Sequence, residues 1–171
     1  MNTDSFWLAQ GTGPSPVLPA SLAGRLAAWR ALDDSAWRVY AHGEPPPVAG
    51  LQWRALTLLL DVPGAAPTAI ASHHFVVETG VADQNLEEFT AWYNTEHAPG
   101  LARVPGTIRA RRFALPGSPT RFLACYDLRE LAAFERPEWL AVRGSPWSDR
   151  VRLMFQGPIR TMHQAIPFAK A

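Results

Sequence analysis

The chain has 171 residues, a formal net charge of +1, 47% hydrophobic residues and 18% charged residues. These values suit one ordinary domain or a compact pair of half-domains with a sizeable core, and they argue against disorder. The basic residues are scattered apart from Arg109, Arg111 and Arg112, and without a basic stripe no nucleic-acid partner is expected.

The single cysteine, Cys125, excludes an intrachain disulfide and a Cys-rich zinc site. It lies in the apolar run Phe122-Leu123-Ala124-Cys125-Tyr126 and reads as a buried, inert thiol. No basic n-region followed by an apolar h-region opens the sequence. The longest mostly apolar run, near Ala55 to Val62, is too short to span a bilayer. A cytoplasmic protein without a membrane partner is the expectation.

The small-residue stretch 64–69 divides the chain into residues 1–68 and 69–171. In the first part, Phe6 to Gln10 reads as a short strand. Leu22, Leu26, Trp29 and Leu32 recur at helical spacing, so a helix is expected over 19–32, with Pro19 and Ser21 at its start. Trp37 to Ala41 and Leu51 to Val62 read as strands, giving the order β-α-β-β. In the second part, Ser72 to Thr79 is a strand, and Asn85-x-x-Glu88 resembles a capping box opening a helix that ends near Ala98, before Pro99 and Gly100. Thr107 to Leu115 and Thr120 to Leu128 form a hairpin around Pro116-Gly117-Ser118-Pro119. A helix over Leu128 to Val142, broken near Pro137, and a last strand over Val151 to Gln164, interrupted by Gly157-Pro158, complete a β-α-β-β-α-β unit. Residues 1–68 have two readings: a half that makes an internal pseudo-dimer after losing its last helix and strand, or an extension that covers the sheet.

The chemistry concentrates at the end of the first helix of the second part. Leu86, Phe89, Tyr93 and His97 share a stripe expected to face the sheet, with Trp92 and Glu96 on a neighbouring stripe. The helix C-terminus and a nearby Glu96 would favour a protonated imidazole. An imidazole near its ordinary pKa suits general acid–base work, with Tyr93 as hydrogen-bond partner and Trp92 and Phe89 as walls. The alternative is a His97 that caps the last carbonyls while the aromatics only pack. Arg109 and Arg111 share one strand face and Arg112 takes the other; an inward Arg111 could hold a planar anion. Tyr126 should face inward and be available to orient a ligand. His73 and His74 point to opposite faces, which is poor geometry for a metal pair. His42 is expected to be exposed, and His163 reads as structural. No phosphate loop or nucleophile elbow is present.

The stretch Trp92-Tyr93-Asn94-Thr95-Glu96-His97-Ala98-Pro99, then Val104-Pro105-Gly106 and the arginine-bearing strand Ile108 to Phe113, resembles the EthD-like branch of the dimeric α/β-barrel superfamily. Pro137-Glu138-Trp139-Leu140 and Ser145-Pro146-Trp147 resemble its second helix and exit; the likeness covers roughly residues 72–166. It implies an α+β, ferredoxin-like unit whose sheet packs on a second sheet to form a barrel, usually in a homodimer, with a small apolar or aromatic molecule between sheet and helices. It also implies a cofactor-independent enzyme acting on an aromatic, polyketide-like or other apolar oxygenated compound. His97 and Tyr93 would be catalytic, and Trp92, Phe89, Glu96, Arg111 and Tyr126 would bind substrate. A non-catalytic binding protein and a haem-associated enzyme are the alternatives. The long first part departs from the family pattern, and if it completes the barrel no homodimer is needed for closure.

Overall fold

The computed structural model describes residues 5–169; the first four residues, which enter the reading of the N-terminus, lie outside it. Its framework is a closed, antiparallel barrel of eight strands: β1 (Phe6–Gly11), β2 (Leu26–Ala31), β3 (Trp37–His42), β4 (Arg54–Pro63), β5 (His73–Val81), β6 (Thr107–Leu115), β7 (Arg121–Leu128) and β8 (Phe155–Ala165). The order around the barrel is β1-β3-β2-β8-β5-β7-β6-β4, and β4 closes it by pairing with β1.

The first four strands lie in the order β4-β1-β3-β2 and the last four in the order β8-β5-β7-β6. Numbered within each half, both orders are fourth-first-third-second, the ferredoxin arrangement. The halves meet along β2–β8 and β4–β6. One chain therefore forms an internal pseudo-dimer and closes its barrel without a second copy. The first half keeps all four strands rather than the three expected.

Among the described residues the first half has no α-helix. The helix expected over 19–32 is instead a short 3₁₀ turn, Ala20–Leu22, followed by β2. Gly24, at φ +82°, takes a left-handed conformation that ends any helical run. Beyond it, Leu26 and Ala28 face outward with Val39 and Ala41, whereas Trp29 and Ala31 face the barrel interior beside His74 and His163. Both faces of β2 are buried, so its apolar residues run on without clean alternation and match helical spacing by coincidence.

In the second half, β5 is buried from His74 to Gly80 because β7 and β8 flank it, side chains fill the barrel inside, and helices cover it outside. Gly157-Pro158 does not interrupt β8. Those two residues lie opposite Thr79 alone, in a bulge between the Glu78–Ile159 and Gly80–Gln156 pairs. Val151 belongs to a helix instead of the last strand. That outer layer consists of α1 (Leu86–Trp92), a π-helical turn (Tyr93–His97), α2 (Ala98–Ala102), a 3₁₀ turn (Leu131–Glu135), α3 (Pro137–Arg143) and α4 (Pro146–Arg152). None of the described helices is long and apolar enough to cross a membrane.

The helical segment after β5 does not stop at Pro99. It runs through the π turn to Ala102, where the Ala98 N–H bonds back to the carbonyl of Tyr93, five residues earlier. Widening the helix by one residue per turn just before the proline relieves the clash that a proline ring makes with the carbonyl four residues back. Asn85 makes no side-chain cap hydrogen bond, so the capping-box expectation fails, and Leu86 is 37% exposed instead of facing the sheet.

Candidate active site

The π turn sets the site. It places Tyr93 and His97 on the inner side of the helical segment, both buried, over the outward faces of β5 and β8. A cavity of about 340 Å³ opens there. Its sheet side is Phe75 and Val77 of β5 with Phe155 and Arg160 of β8; its helical side is Trp92, Tyr93, His97 and Leu101, and α3 and α4 add Trp139, Arg143 and Arg152. The volume lies near the lower end of the roughly 300–1,000 Å³ typical of small-molecule sites.

His97 stacks on Trp92, with centroids 4.1 Å apart and planes 25° from parallel, and Tyr93 meets it edge-on at 5.5 Å. Ser148 fixes the pair from behind. Its Oγ accepts from Trp92 Nε1 at 3.2 Å, lies 3.5 Å from His97 Nδ1, and donates its proton to the Val142 carbonyl at 2.9 Å. With that proton committed, His97 Nδ1–H is the donor to Ser148, and Nε2 is the nitrogen left for a ligand.

The expectation of a protonated imidazole is overturned. Burial, with the positive charges of Arg152 and Arg143, pushes the His97 pKa down to about 3. Desolvation outweighs the weak dipole of a helix end, and the chain does not end at His97. Nor is Glu96 among the groups that set the His97 charge: its carboxylate accepts the hydroxyl of Ser145 at the start of α4. Burial likewise raises the Tyr93 phenol above its ordinary range, so it is a proton donor and not a phenolate.

The other sequence candidates separate. Phe89 is fully buried behind Tyr93, at 5.1 Å, and does not line the cavity. Tyr126 lies on the helix-facing side of β7, edge-on to His97 at 6.5 Å and to Trp139 at 5.4 Å. Its hydroxyl and the Trp139 Nε1–H are both buried without a partner among the described residues. Arg111 belongs elsewhere. It faces the barrel interior and gives Nη2 to Asp127 Oδ2 at 2.6 Å. Strand alternation leaves Arg109 and Arg111 on that side and Arg112 on the other, as expected.

Arg112 was missed as a support. It is 1% exposed, its guanidinium lies 4.4 Å over the Tyr93 ring, and Nη1 donates to Asn94 Oδ1 at 2.8 Å. It fastens the π turn to β6 and holds Tyr93 in place. Ser148, Trp139, Arg143, Arg152 and Arg160 were also missed, since only the packing of α3, α4 and β8 around the helical segment brings them to His97.

A second polar group fills the barrel itself. His74 Nδ1 donates to Asp127 Oδ1 at 2.7 Å and His74 Nε2 accepts from Tyr40 at 3.2 Å, while the indole of Trp29 stacks on its ring. Burial keeps His74 neutral despite Asp127; the Asp127 carboxyl is held low by His74 and Arg111 against the opposing effect of its own burial. Arg38 pairs with Glu78 at 2.9 Å, again from one half to the other. Cys125 is buried, its thiol pushed up to about 11 by desolvation, as expected of an inert cysteine. His42 is exposed and His163 buried, as expected.

No protein-family model and no curated protein matches the chain. Solved structures do match over nearly their full lengths. A monooxygenase-like protein from Listeria innocua aligns with a TM-score of 0.62 at 11% identity, over 97% of this chain and 96% of that one. A haem-degrading enzyme from Listeria monocytogenes aligns with a TM-score of 0.62 at 11% identity, over 94% and 99%. An anthrone oxidase-like protein aligns with a TM-score of 0.61 at 12% identity, over 97% and 92%. The likeness is one of fold. At such identities it carries the single-chain ferredoxin-like barrel and no activity.

Proposed function

We propose that the chain is a small-molecule enzyme of the EthD-like type. Residues 1–68 complete the barrel, and the site lies within residues 69–171. The substrate is a hydroxylated aromatic compound oxidised by dioxygen without a resident cofactor. The observation that carries this reading is a neutral imidazole, fixed by Ser148 through one nitrogen, in a largely aromatic cavity of about 340 Å³. The monooxygenase-like and anthrone oxidase-like neighbours support it at the level of fold.

In this mechanism His97 Nε2 removes a proton from an acidic C–H or phenolic O–H. Alone, an imidazole with a pKa near 3 is a weak base. A substrate anion forming beside it stabilises the imidazolium, so the proton transfer is coupled to the charge it creates. The anion then passes electrons to dioxygen. With anthrone, the methylene carbon loses both hydrogens, one oxygen atom becomes the new carbonyl, and the other leaves with those two hydrogens as water. Tyr93 donates to the substrate oxygen, while Trp92 and Trp139 hold the ring.

The test is dioxygen uptake with anthrone and 1,8-dihydroxyanthrone. Wild-type protein should raise uptake above the buffer rate, and His97→Gln should lower turnover by about 10²-fold or more, the usual worth of a general base. If neither compound nor other hydroxylated anthracenes raise uptake, the oxidase reading falls and a binding protein with the same cavity takes its place. A Soret band on adding haemin that is lost in His97→Ala would instead favour the haem-associated alternative.

A further inference from the structure

Three arginines from three elements converge on the His97 cavity: Arg143 from α3, Arg152 from α4 and Arg160 from β8. Arg152 pairs with a carboxylate, Asp149, and also donates to the Arg143 carbonyl. Among the described residues no carboxylate pairs with Arg143 or Arg160. Each instead lies against an aromatic ring, Arg143 over Phe134 at 5.5 Å and Arg160 over Phe155 at 5.8 Å. Like charges held this close repel. Arg152 and Arg160, after burial, lower the Arg143 pKa, and Arg143 and Arg152 both depress His97. A protein that gathers unneutralised guanidinium groups at the wall of a small aromatic cavity fits an anion that would relieve the repulsion.

Deeper in, the chemistry changes. Trp139 lines the cavity, yet among the described residues its Nε1–H has no acceptor, and the neighbouring Tyr126 hydroxyl is also unpartnered. Buried donors left without acceptors cost free energy, and an oxygen atom on a ligand would recover it.

We infer that the ligand of this cavity is an aromatic acid: a flat ring system between Trp92 and Trp139, a hydroxyl or carbonyl oxygen toward the inner donors, and a carboxylate held by Arg143 and Arg160. The inference rests on the reading of the His97 cavity as a small-molecule site and adds the charge of what it takes. Arg143 and Arg160 then select the acid and orient its oxidisable edge toward His97.

The test is calorimetric titration with 1-hydroxy-2-naphthoate and its neutral counterpart 1-hydroxy-2-naphthamide. The acid should bind about tenfold tighter or better, the worth of one charge-assisted contact. Exposed Arg160→Met should remove most of that preference, weakening the acid far more than the amide. Arg143→Lys, which keeps the charge but loses the fork, should reduce it partially, and Arg25→Met on a distant exposed loop should change nothing. Equal affinity for acid and amide overturns the inference, as does a parallel fall of both in Arg160→Met or no binding of either at millimolar concentration. The outcomes separate from those above: acid preference without dioxygen uptake removes the oxidase reading alone, and uptake without acid preference removes this inference alone.

Discussion

Two buried histidines make the stability of this protein depend on pH in a window where its carboxylates are silent. His97 falls from the usual 6.5 to about 3 and His163 to about 4, both chiefly through burial. Each binds protons more weakly folded than unfolded. Stability is therefore full above the unfolded value of 6.5 and is lost as pH drops below it. At pH 5 an unfolded imidazole is almost fully protonated while neither folded one is. With about 1.4 kcal/mol per unit, each group then costs about 2 kcal/mol relative to pH 7.5, or about 4 kcal/mol together. His74, also depressed by burial, acts in the same direction. The lowered carboxylates, Asp127 among them, add their share only below their ordinary range of about 4. Urea denaturation at pH 7.5 and pH 5.0, followed by tryptophan fluorescence, measures the loss. Wild-type protein should lose at least about 4 kcal/mol over this interval, and His97→Gln about 2 kcal/mol less than wild type. A variant that falls as steeply as wild type would show that His97 is not held neutral, and the proton-transfer mechanism would go with it.

Two further predictions concern the frame around the site. Arg38→Met leaves Glu78 buried with only the longer Arg121 contact, so it should cost about 3 kcal/mol in denaturant titrations, and adding Glu78→Leu should restore most of it; a single variant within 0.5 kcal/mol of wild type, roughly the ordinary surface range, would mean that this cross-half pair is solvated. Gly64 follows β4 so closely that an added Cβ would stand 2.2 Å from the Thr107 carbonyl oxygen, a backbone atom that cannot swing aside. Gly64→Ala should therefore lower stability by about 2 kcal/mol or more, and an unchanged thermal midpoint would refute the close approach.

Much of this molecule is written locally. Strands β1, β3 and β4 and the β5-to-β8 half were legible because each carries its own alternation or apolar run, and turns such as Pro116-Gly117-Ser118-Pro119 punctuate them. The cluster of Trp92, Tyr93 and His97 was legible because helical spacing alone puts Tyr93 and His97 on one face. What failed did so for tertiary reasons. β2 is a strand because neighbours bury both of its faces, and no window of its own sequence records that. Pro99 marked an end that the π turn absorbs. His97 looked cationic beside Glu96 and a helix terminus, but desolvation and two arginines from later helices decide its charge. Arg111 faces inward as expected, but Asp127 from the neighbouring strand already takes it there, and the cavity lies on the other face of the sheet. The sequence by itself determined the barrel-forming strands and the helix that bears the site. Only the tertiary structure decided that one chain closes the barrel, that His97 is neutral, and that arginines more than forty residues away share its cavity, because burial and charge at a site are sums over elements that only folding brings together.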